Sequence, residues 1–249
     1  MQFKSSCGPG VIITRPIEQS KILAERLQIF GYKIFVSPLL KIVSIPKPLD
    51  LSYVQAIVFT SANAVGPFGE ANIERGLPVY AVGTATAKAA EGLKFSNISI
   101  GKKNAESLVG QIVNKHSPKD GVVLRISGEK VTSGVEKLLL RHGFKVERQI
   151  LYRAEAATRL CSAAVKAMEN SEVKIVLFFS SRTAKIFLNL LKREGRDGLC
   201  SEIIALCLSD SVASSLNFNM WKKVIVADAP KTDAMIEALK AAVPPYRDC

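Results

Sequence analysis

Two short passages of the chain place hydroxyl side chains directly after an apolar segment. Residues 57–65 read IVFTSANAV and residues 176–184 read VLFFSSRTA, with Ser61 and Ser181 in matching places 120 residues apart. Each passage predicts a strand, a polar turn and the start of a helix. Hydroxyl groups and the free N–H groups of a helix start suit carboxylate or phosphate ligands. The pair therefore indicates two related anion-binding turns, whereas a single turn of this kind is more typical of helix capping alone.

The repeat continues in the same order along the chain. Two further strand–turn–helix passages recur at a similar offset, residues 80–87 with 206–213 and residues 98–101 with 224–227. A strand–helix–strand unit also occurs twice, and its copies begin at residues 11 and 123. Repeats of this size indicate a duplicated domain, because solenoid units are only about 20–50 residues long. Alternating strands and helices predict an α/β fold with parallel sheets flanked by helices.

Composition agrees with this fold and suggests where the protein acts. The 249 residues include 48% hydrophobic residues, enough for two modest cores. The five cysteines are scattered, without a C-x-x-C spacing: Cys7, Cys161, Cys200, Cys207 and Cys249. This pattern favours neither disulfides nor zinc and predicts a reducing compartment. We expect a cytoplasmic protein that does not bind membranes, because no signal-peptide core and no apolar run long enough to span a bilayer occur.

The formal charge of +12 is compatible with an anionic partner. Nucleic acid, an anionic membrane and an acidic substrate are the alternatives, and a basic surface without a specific partner is equally compatible. Lysine and arginine are spread along the chain, and aromatic residues make up only 7% of it. The interleaved basic and aromatic residues of a nucleic-acid stacking platform are therefore missing.

Residues of ordinary acid–base and metal chemistry do not form a recognisable site. His116 and His142 have no second ligand or acid at a useful spacing, and we expect them at the surface or at a helix end. HExxH, GxSxG and Walker sequences do not occur, and no metal site is predicted. The remaining candidates are the turns after parallel strands, where open α/β sheets bind ligands. These turns hold Thr14, Arg15, Thr60, Ser61, Gly83, Thr84, Ser127, Gly128, Ser180, Ser181 and Ser209.

The order and spacing of these turns resemble the uroporphyrinogen-III synthase family. The motifs that carry the resemblance are TRP at 14–16, FTSAN at 59–63, VGTATA at 82–87, LRISG at 124–128, YR at 152–153, FSS at 179–181 and ADAPKT at 227–232. Together they cover about residues 11–240. The resemblance implies an enzyme of tetrapyrrole (heme) biosynthesis, a cofactor-independent hydro-lyase. It would close hydroxymethylbilane to uroporphyrinogen III, with inversion of ring D and loss of water.

The same resemblance implies which residues form the site. Tyr152 is the expected catalytic proton donor for the departing hydroxyl, because a phenol is protonated at neutral pH. The expected substrate-binding residues are Arg15, Thr60, Ser61, Asn63, Gly83, Thr86, Ser127, Gly128, Ser181, Ser209 and Ser211. The substrate carries eight carboxylates, which agrees with a basic protein. The resemblance implies a monomer that uses neither a metal nor a cofactor and does not bind nucleic acid. Val212 stands where relatives often carry threonine, so Ser209 or Ser211 would bind in its place.

The repeated units can pair in two ways. Sequential pairing would make residues 1–118 one domain. The resemblance implies instead two similar flavodoxin-like domains, each with a parallel five-stranded sheet flanked by helices. Their expected ranges are 1–36 with 157–249, and 43–149 as an inserted domain, with 37–42 and 150–156 as linker strands.

Bending at such a linker would open and close a cleft lined by both sets of turns. A non-catalytic two-domain protein that binds an anion or a small molecule stays an alternative function. A nucleic-acid binder is a further alternative, which a steep salt dependence of binding would reveal.

Overall fold

Strands and helices alternate along the computed structural model, which describes residues 8–45, 47–72, 74–101, 105–129 and 134–245. The elements up to residue 115 are β1 (Gly10–Ile13), α1 (Ile17–Ile29), β2 (Lys33–Val36), β3 (Leu40–Ser44), β4 (Val54–Phe59), α2 (Val65–Ala71), β5 (Val79–Val82), α3 (Thr84–Gly92), β6 (Ile98–Gly101) and α4 (Ala105–Lys115). They are followed by β7 (Val122–Gly128), α5 (Val135–Arg141), β8 (Lys145–Ala156), α6 (Ser162–Glu169), β9 (Val173–Phe178), α7 (Ser181–Arg193), β10 (Ile204–Cys207), α8 (Asp210–Ala213), β11 (Lys223–Val226) and α9 (Thr232–Ala242). The predicted α/β class is confirmed.

The chain forms two compact units. One consists of the residues up to Lys41 and from Glu155 onward, and the other is Ile42–Ala154. The sheet of the first unit has the strand order β11-β10-β9-β1-β2, and all its neighbouring strands are parallel. Strand β1 therefore pairs with β9, which lies more than 150 residues further along the chain. Whether either unit folds by itself stays a prediction.

The sheet of the second unit has six strands, in the order β3-β8-β7-β4-β5-β6. The five strands from β4 to β8 are parallel to their neighbours, as expected. The expectation of five strands was wrong because β3 pairs with the outer edge of β8. Beyond one end of β3, the N–H of Ile45 donates to the carbonyl of Leu151 at 2.7 Å. Beyond its other end, the N–H of Ala157 donates to the carbonyl of Leu39 at 3.0 Å, so the two strands run in opposite directions.

Central strands bury both of their faces, as parallel sheets covered by helices require. In β1, Ile12 packs into one hydrophobic cluster, whereas Val11 and Ile13 pack into another on the opposite face. Strand β4 alternates in the same way between the two clusters of the second unit. Each fully buried aliphatic side chain stabilises the fold by about 1.5–3 kcal/mol. These strands are therefore rigid supports for the turns at their carboxyl ends.

The cysteines behave as small core or boundary residues. Cys207 lies in β10 and is buried, as predicted, and Cys200 is buried in the same hydrophobic cluster. Burial raises the pKa of both thiols to about 12, so neither is a reactive thiolate at neutral pH. Cys161 is a partly buried free thiol. Cys7 and Cys249 lie outside the described residues.

Candidate functional site

Three of the predicted hydroxyl residues meet at the carboxyl ends of β9 and β10. The Ser181 hydroxyl donates to the carbonyl of Ser211 at 2.7 Å, and the hydroxyls of Ser209 and Ser211 are 3.0 Å apart. Because β9 and β10 are neighbours in the sheet, their turns are adjacent. Val212 is 4% exposed and packs into the core, so its side chain takes no part in this hydroxyl cluster.

Arg15 follows β1 and lies beside the turn that follows β9. Its Nε donates to Gln19 Oε1 at 2.8 Å, and its guanidinium carbon lies 4.4 Å from the centroid of the Phe179 ring. Burial lowers the pKa of Arg15, but an arginine stays charged at neutral pH. The Thr14 hydroxyl is fully buried and donates to the carbonyl of Leu177 at 2.8 Å. Arg15 is therefore a cationic group held beside this turn, while Thr14 joins the two strands.

Phe179 is a functional candidate that the sequence analysis missed. It directly follows β9 and is half-buried, and the guanidinium of Arg15 stacks on its ring. Such a stack holds an arginine side chain in one place and contributes about 0.5–2 kcal/mol. The available signal was the aromatic residue between the strand and the serine pair of the FSS motif.

The serine turns after β4 and β9 share a capping geometry. The Ser180 hydroxyl accepts from the N–H of Thr183 at 3.2 Å at the start of α7. The Ser61 hydroxyl accepts from the N–H of Asn63 at 3.2 Å in the short 3-10 turn after β4. Capping thus accounts for both hydrogen bonds. Thr60 lies beside Ser61 at the same sheet edge and is partly exposed. Asn63 is partly exposed as well.

Gly83 makes the turn between β5 and α3 possible. Its φ of +86° lies in the left-handed region that favours glycine, and a Cβ built at this position would contact no atom within 4 Å. The turn is therefore open to a ligand that approaches the first N–H groups of α3. The side chain of Thr86 is 4% exposed, so only its backbone could reach such a ligand, while Thr84 is exposed.

The end of β7 is held by an arginine from β8. The Ser127 hydroxyl, 4% exposed, accepts from Nε of Arg148 at 2.8 Å and donates to the carbonyl of Gly128 at 3.1 Å. Nη2 of Arg148 donates to the carbonyls of Gly128 and Glu129 at 2.8 and 2.9 Å. The side chain of Ser127 is therefore occupied within the protein. Arg148 is absent from the predicted site, and its contacts show that it belongs to this turn.

Tyr152 lies on β8 beside Gly128 of β7. The two residues are register partners just after an irregularity in the β7–β8 pairing. A Cβ at Gly128 would lie 2.7 Å from Cε2 and 2.8 Å from Cζ of the tyrosine ring, so the half-buried ring rests on the glycine. No group in the described part of the chain hydrogen-bonds to the phenol hydroxyl. The ring is thus held by its face against Gly128, while its hydroxyl makes no hydrogen bond to the described residues.

A buried ion pair lies behind this turn. Arg125 of β7 is 1% exposed, and its Nη1 is 2.8 Å from Oε2 of Glu136 in the first turn of α5. Burial lowers the pKa of Arg125, and the neighbouring carboxylate of Glu136 acts in the opposite direction. Nε of Arg125 has no hydrogen-bond partner among the described residues. Glu136 is therefore the main compensation for a charge in the middle of the sheet.

The two histidines lie in different environments. His142 is exposed at the end of α5, as expected. His116 is instead partly buried, and its Nε2 is 2.9 Å from the hydroxyl of Tyr80, which is itself 1% exposed. His116 directly follows α4, and its N–H donates to the carbonyl of Ile112 at 2.9 Å, so the expected helix-end position is confirmed, whereas its contact with Tyr80 of β5 was not predicted. Burial lowers the pKa of His116, which favours the neutral ring.

The described ranges show neither a metal-ligand cluster nor a membrane-spanning helix. They contain no group of three or more histidine, cysteine, aspartate or glutamate residues that could hold a metal ion. None of the helices in these ranges is both long and apolar enough to cross a membrane.

The fold is that of a two-unit α/β protein with polar turns at the carboxyl edges of its sheets. A family model described as uroporphyrinogen-III synthase HemD matches residues 21–237. The chain therefore belongs to the uroporphyrinogen-III synthase HemD family.

A curated protein and two solved structures are similar to this chain. The porphyrin biosynthesis protein HemD of Ruminiclostridium josui is 22% identical over 254 residues, which cover 93% of this chain and 48% of the relative. The chain thus spans about half the length of that relative. Uroporphyrinogen-III synthetase from Helicobacter pylori matches with a TM-score of 0.63 at 19% identity, covering 94% of this chain and 99% of that chain, and shares the fold. A mutant uroporphyrinogen III synthase from Thermus thermophilus matches with a TM-score of 0.48 at 17% identity, covering 94% of this chain and 98% of that chain.

Proposed function

We propose that this protein catalyses the closure of hydroxymethylbilane to uroporphyrinogen III, with inversion of ring D and release of water. Family membership over residues 21–237 supports the reaction. The observation that carries the proposal is the Tyr152 ring, seated on Gly128 with its hydroxyl unpaired among the described residues. This geometry suits a proton donor that serves a bound ligand rather than the protein core.

Substrate binding is proposed for the turns at the carboxyl edge of each sheet. In the first unit, Arg15 supplies a fixed positive charge, and Ser181, Ser209 and Ser211 supply clustered hydroxyls. In the second unit, the turns at Thr60, Ser61 and Asn63, at Gly83 and Thr86, and at Ser127 and Gly128 supply backbone N–H groups and partly exposed side chains. Carboxylates bind well to such groups, and a net charge of +12 favours an octacarboxylate. Thr86 and Ser127 are proposed to act through their backbones because their side chains are buried.

The proposed chemistry requires one proton donor and accurate positioning. Protonation of the substrate hydroxyl lets it leave as water, and the resulting azafulvenium ion is attacked by the ring D carbon that already carries the methylene bridge from ring C. That older bridge bond then breaks, and the released methylene carbon bonds to the neighbouring unsubstituted carbon of ring D, which inverts the ring. The proton lost when ring D regains aromaticity balances the one supplied at the start. Holding the flexible tetrapyrrole in a reactive shape can contribute roughly 7–11 kcal/mol to the lowering of the barrier. The enzyme therefore works mainly by positioning, and Tyr152 adds general acid catalysis.

The identity of the product tests the proposed function. The protein is mixed with hydroxymethylbilane as it is generated enzymatically, and the oxidised products are separated by chromatography. We expect mainly the type III isomer, whereas spontaneous closure gives the unrearranged type I isomer. Tight binding of the bilane with only the type I isomer formed would instead support the alternative of a non-catalytic binding protein.

The replacement Tyr152→Phe tests the proton donor. We expect kcat to fall by about 10²–10⁴-fold, because general acid catalysis contributes this much, while KM changes little. The matched control is Tyr53→Phe, which removes an exposed phenol that bonds to Glu147 at 3.0 Å in the same unit. Steady-state rates with both variants decide the question. A Tyr152→Phe enzyme with wild-type kcat would reduce Tyr152 to a packing residue.

The proposal extends to the protein's setting. We propose that the protein acts in the cytoplasm as a monomer. Support comes from the buried free thiols of Cys200 and Cys207, the form that a reducing compartment maintains, and from the family resemblance. Light scattering coupled to size-exclusion chromatography tests the monomer, and a mass near twice 27.0 kDa would contradict it.

A further inference from the structure

Arg148 makes an unusual set of hydrogen bonds at the end of β7. Its guanidinium donates to three acceptors of a single turn: the Ser127 hydroxyl at 2.8 Å and the carbonyls of Gly128 and Glu129 at 2.8 and 2.9 Å. No carboxylate in the described part of the chain pairs with it. The hydrogen-bond donors of Arg148 thus hold three consecutive residues in place, and the guanidinium forms no ion pair with the described residues.

That turn is also the support on which the Tyr152 ring lies. The ring is so close to Gly128 that even a methyl group would approach Cε2 and Cζ within 2.8 Å. The N–H of Glu129 donates to the carbonyl of Tyr152 at 3.2 Å. The backbone at 128–129 therefore contacts the tyrosine from the ring side and from the main-chain side. A shift of this backbone must move the phenol.

We propose that Arg148 is a positioning residue for Tyr152, which acts by fixing the turn at residues 127–129 beneath the tyrosine ring. The inference rests on the proposed function, in which the Tyr152 hydroxyl protonates the substrate. An arginine suits this role because its planar guanidinium presents several donors in a rigid arrangement. Lysine has a single ammonium group on a flexible stem and cannot reproduce the same set of bonds.

Kinetics of Arg148→Met and Arg148→Lys test the catalytic side of the proposal. We expect Arg148→Met to lower kcat by about 10–100-fold with little change in KM, because a displacement near 1 Å of a reacting group can cost about 10²-fold. Arg148→Lys should recover part of that loss. The matched control is Arg141→Met, which removes the same charge from an exposed position at the end of α5. It should keep wild-type kcat, whereas an equal loss in both Met variants would assign the effect to net charge.

A double-mutant cycle separates positioning from general loss of structure. In the Tyr152→Phe background the hydroxyl is gone, so Arg148→Met should lower kcat by less than about threefold. The same loss in both backgrounds would overturn the inference. If Arg148→Met does not fold, Gly128→Ala takes its place, because the added methyl displaces the ring from below while Arg148 keeps its acceptors.

A spectroscopic measurement tests the ring position without relying on activity. The chain has five tyrosines, so fluorine NMR of protein labelled with 3-fluorotyrosine gives few signals, and Tyr152→Phe identifies the Tyr152 signal. We expect this signal to shift in Arg148→Met and Gly128→Ala and to stay in place in Arg141→Met. An unmoved signal in Arg148→Met would refute the positioning role.

A failure of the proposed function and a failure of the Arg148 inference give different experimental results. A wild-type protein that forms only the type I isomer disproves the proposed function, and the catalytic part of the inference falls with it. The fluorine spectra then still decide whether Arg148 holds the ring. A normal type III activity that Arg148→Met leaves unchanged disproves the inference and keeps the function.

Discussion

Glu136→Gln removes the carboxylate charge that faces the buried guanidinium of Arg125. The arginine is 1% exposed, its Nη1 is 2.8 Å from the carboxylate, and its Nε has no partner among the described residues. Removing one partner of a buried ion pair costs about 3–5 kcal/mol, because the remaining charge is left uncompensated. The side chain of Glu136 is 29% exposed, so water replaces part of the lost interaction. We therefore expect a loss near the lower end, about 3 kcal/mol.

Equilibrium urea unfolding followed by circular dichroism measures this loss. We expect a lower transition midpoint with an unchanged slope, since the replacement alters stability and not the exposed area. In a thermal scan the expected loss corresponds to a Tm decrease of roughly 6–12 °C. The matched control is Glu106→Gln, which removes an exposed carboxylate from the first turn of α4 in the same unit. It should cost less than about 1 kcal/mol, the usual contribution of a first-turn carboxylate to the helix dipole.

The double replacement Arg125→Met with Glu136→Leu completes the test. An apolar pair of similar volume removes both charges, and such exchanges are often neutral or stabilising. We expect most of the stability lost in Glu136→Gln to return. The stabilising role of Glu136 beside Arg125 is refuted if Glu136→Gln costs no more than Glu106→Gln, or if the double variant is as unstable as Glu136→Gln.

Three further predictions concern charge, pH and folding units. Arg15→Ala should weaken binding of the octacarboxylate substrate more than Lys222→Ala, because Arg15 is held at a strand end by Phe179 whereas Lys222 is exposed. Isothermal titration calorimetry measures both affinities. Equal effects of the two replacements would mean that only the diffuse surface charge matters for binding. His116 has a lowered pKa in the folded protein, so its contribution to stability is present above its unfolded pKa near 6.5 and is lost as the pH falls through the lower folded pKa. Urea midpoints at pH 7 and below pH 6 should therefore differ less in His116→Gln than in the wild type, and an identical difference would assign the pH effect to other groups. A fragment of residues 42–154 should unfold cooperatively, whereas residues 1–118 should not, because β1 then lacks β9 and β4 lacks β7. A cooperative transition of 1–118 alone in the same assay would contradict this division.

The central strands and the turns after them could be predicted from the sequence because the relevant patterns are local. An apolar run such as that of β9 is buried on both faces, and the serines that follow it begin α7. The register of β9 beside β10 then brings Ser181 and Ser211 together without any further signal. The catalytic role of Tyr152 was predicted from the family resemblance, because strand patterns alone do not indicate it.

The features that could not be predicted depend on partners far along the chain. The pattern of β3 suits a linker as well as an edge strand, and only the free edge of β8 decides between them. Arg125 interrupts an apolar strand, but the loop between β7 and α5 determines whether Glu136 reaches it. The contacts of Arg148 are even harder to predict from the sequence, because two of its three acceptors are backbone carbonyl groups, which every residue possesses.

The use of carbonyl acceptors by Arg148 has a consequence for how this turn tolerates mutation. Glu129 contributes only its main chain to the turn, and its side chain is exposed. Position 129 can therefore change residue type while the bond to Arg148 persists, whereas position 128 has room for glycine alone beneath the tyrosine ring. Saturation mutagenesis would then find many accepted residues at 129 and almost none at 128. Position 129 is consequently a place where new side chains can be introduced near Tyr152 without disturbing the residues that hold it.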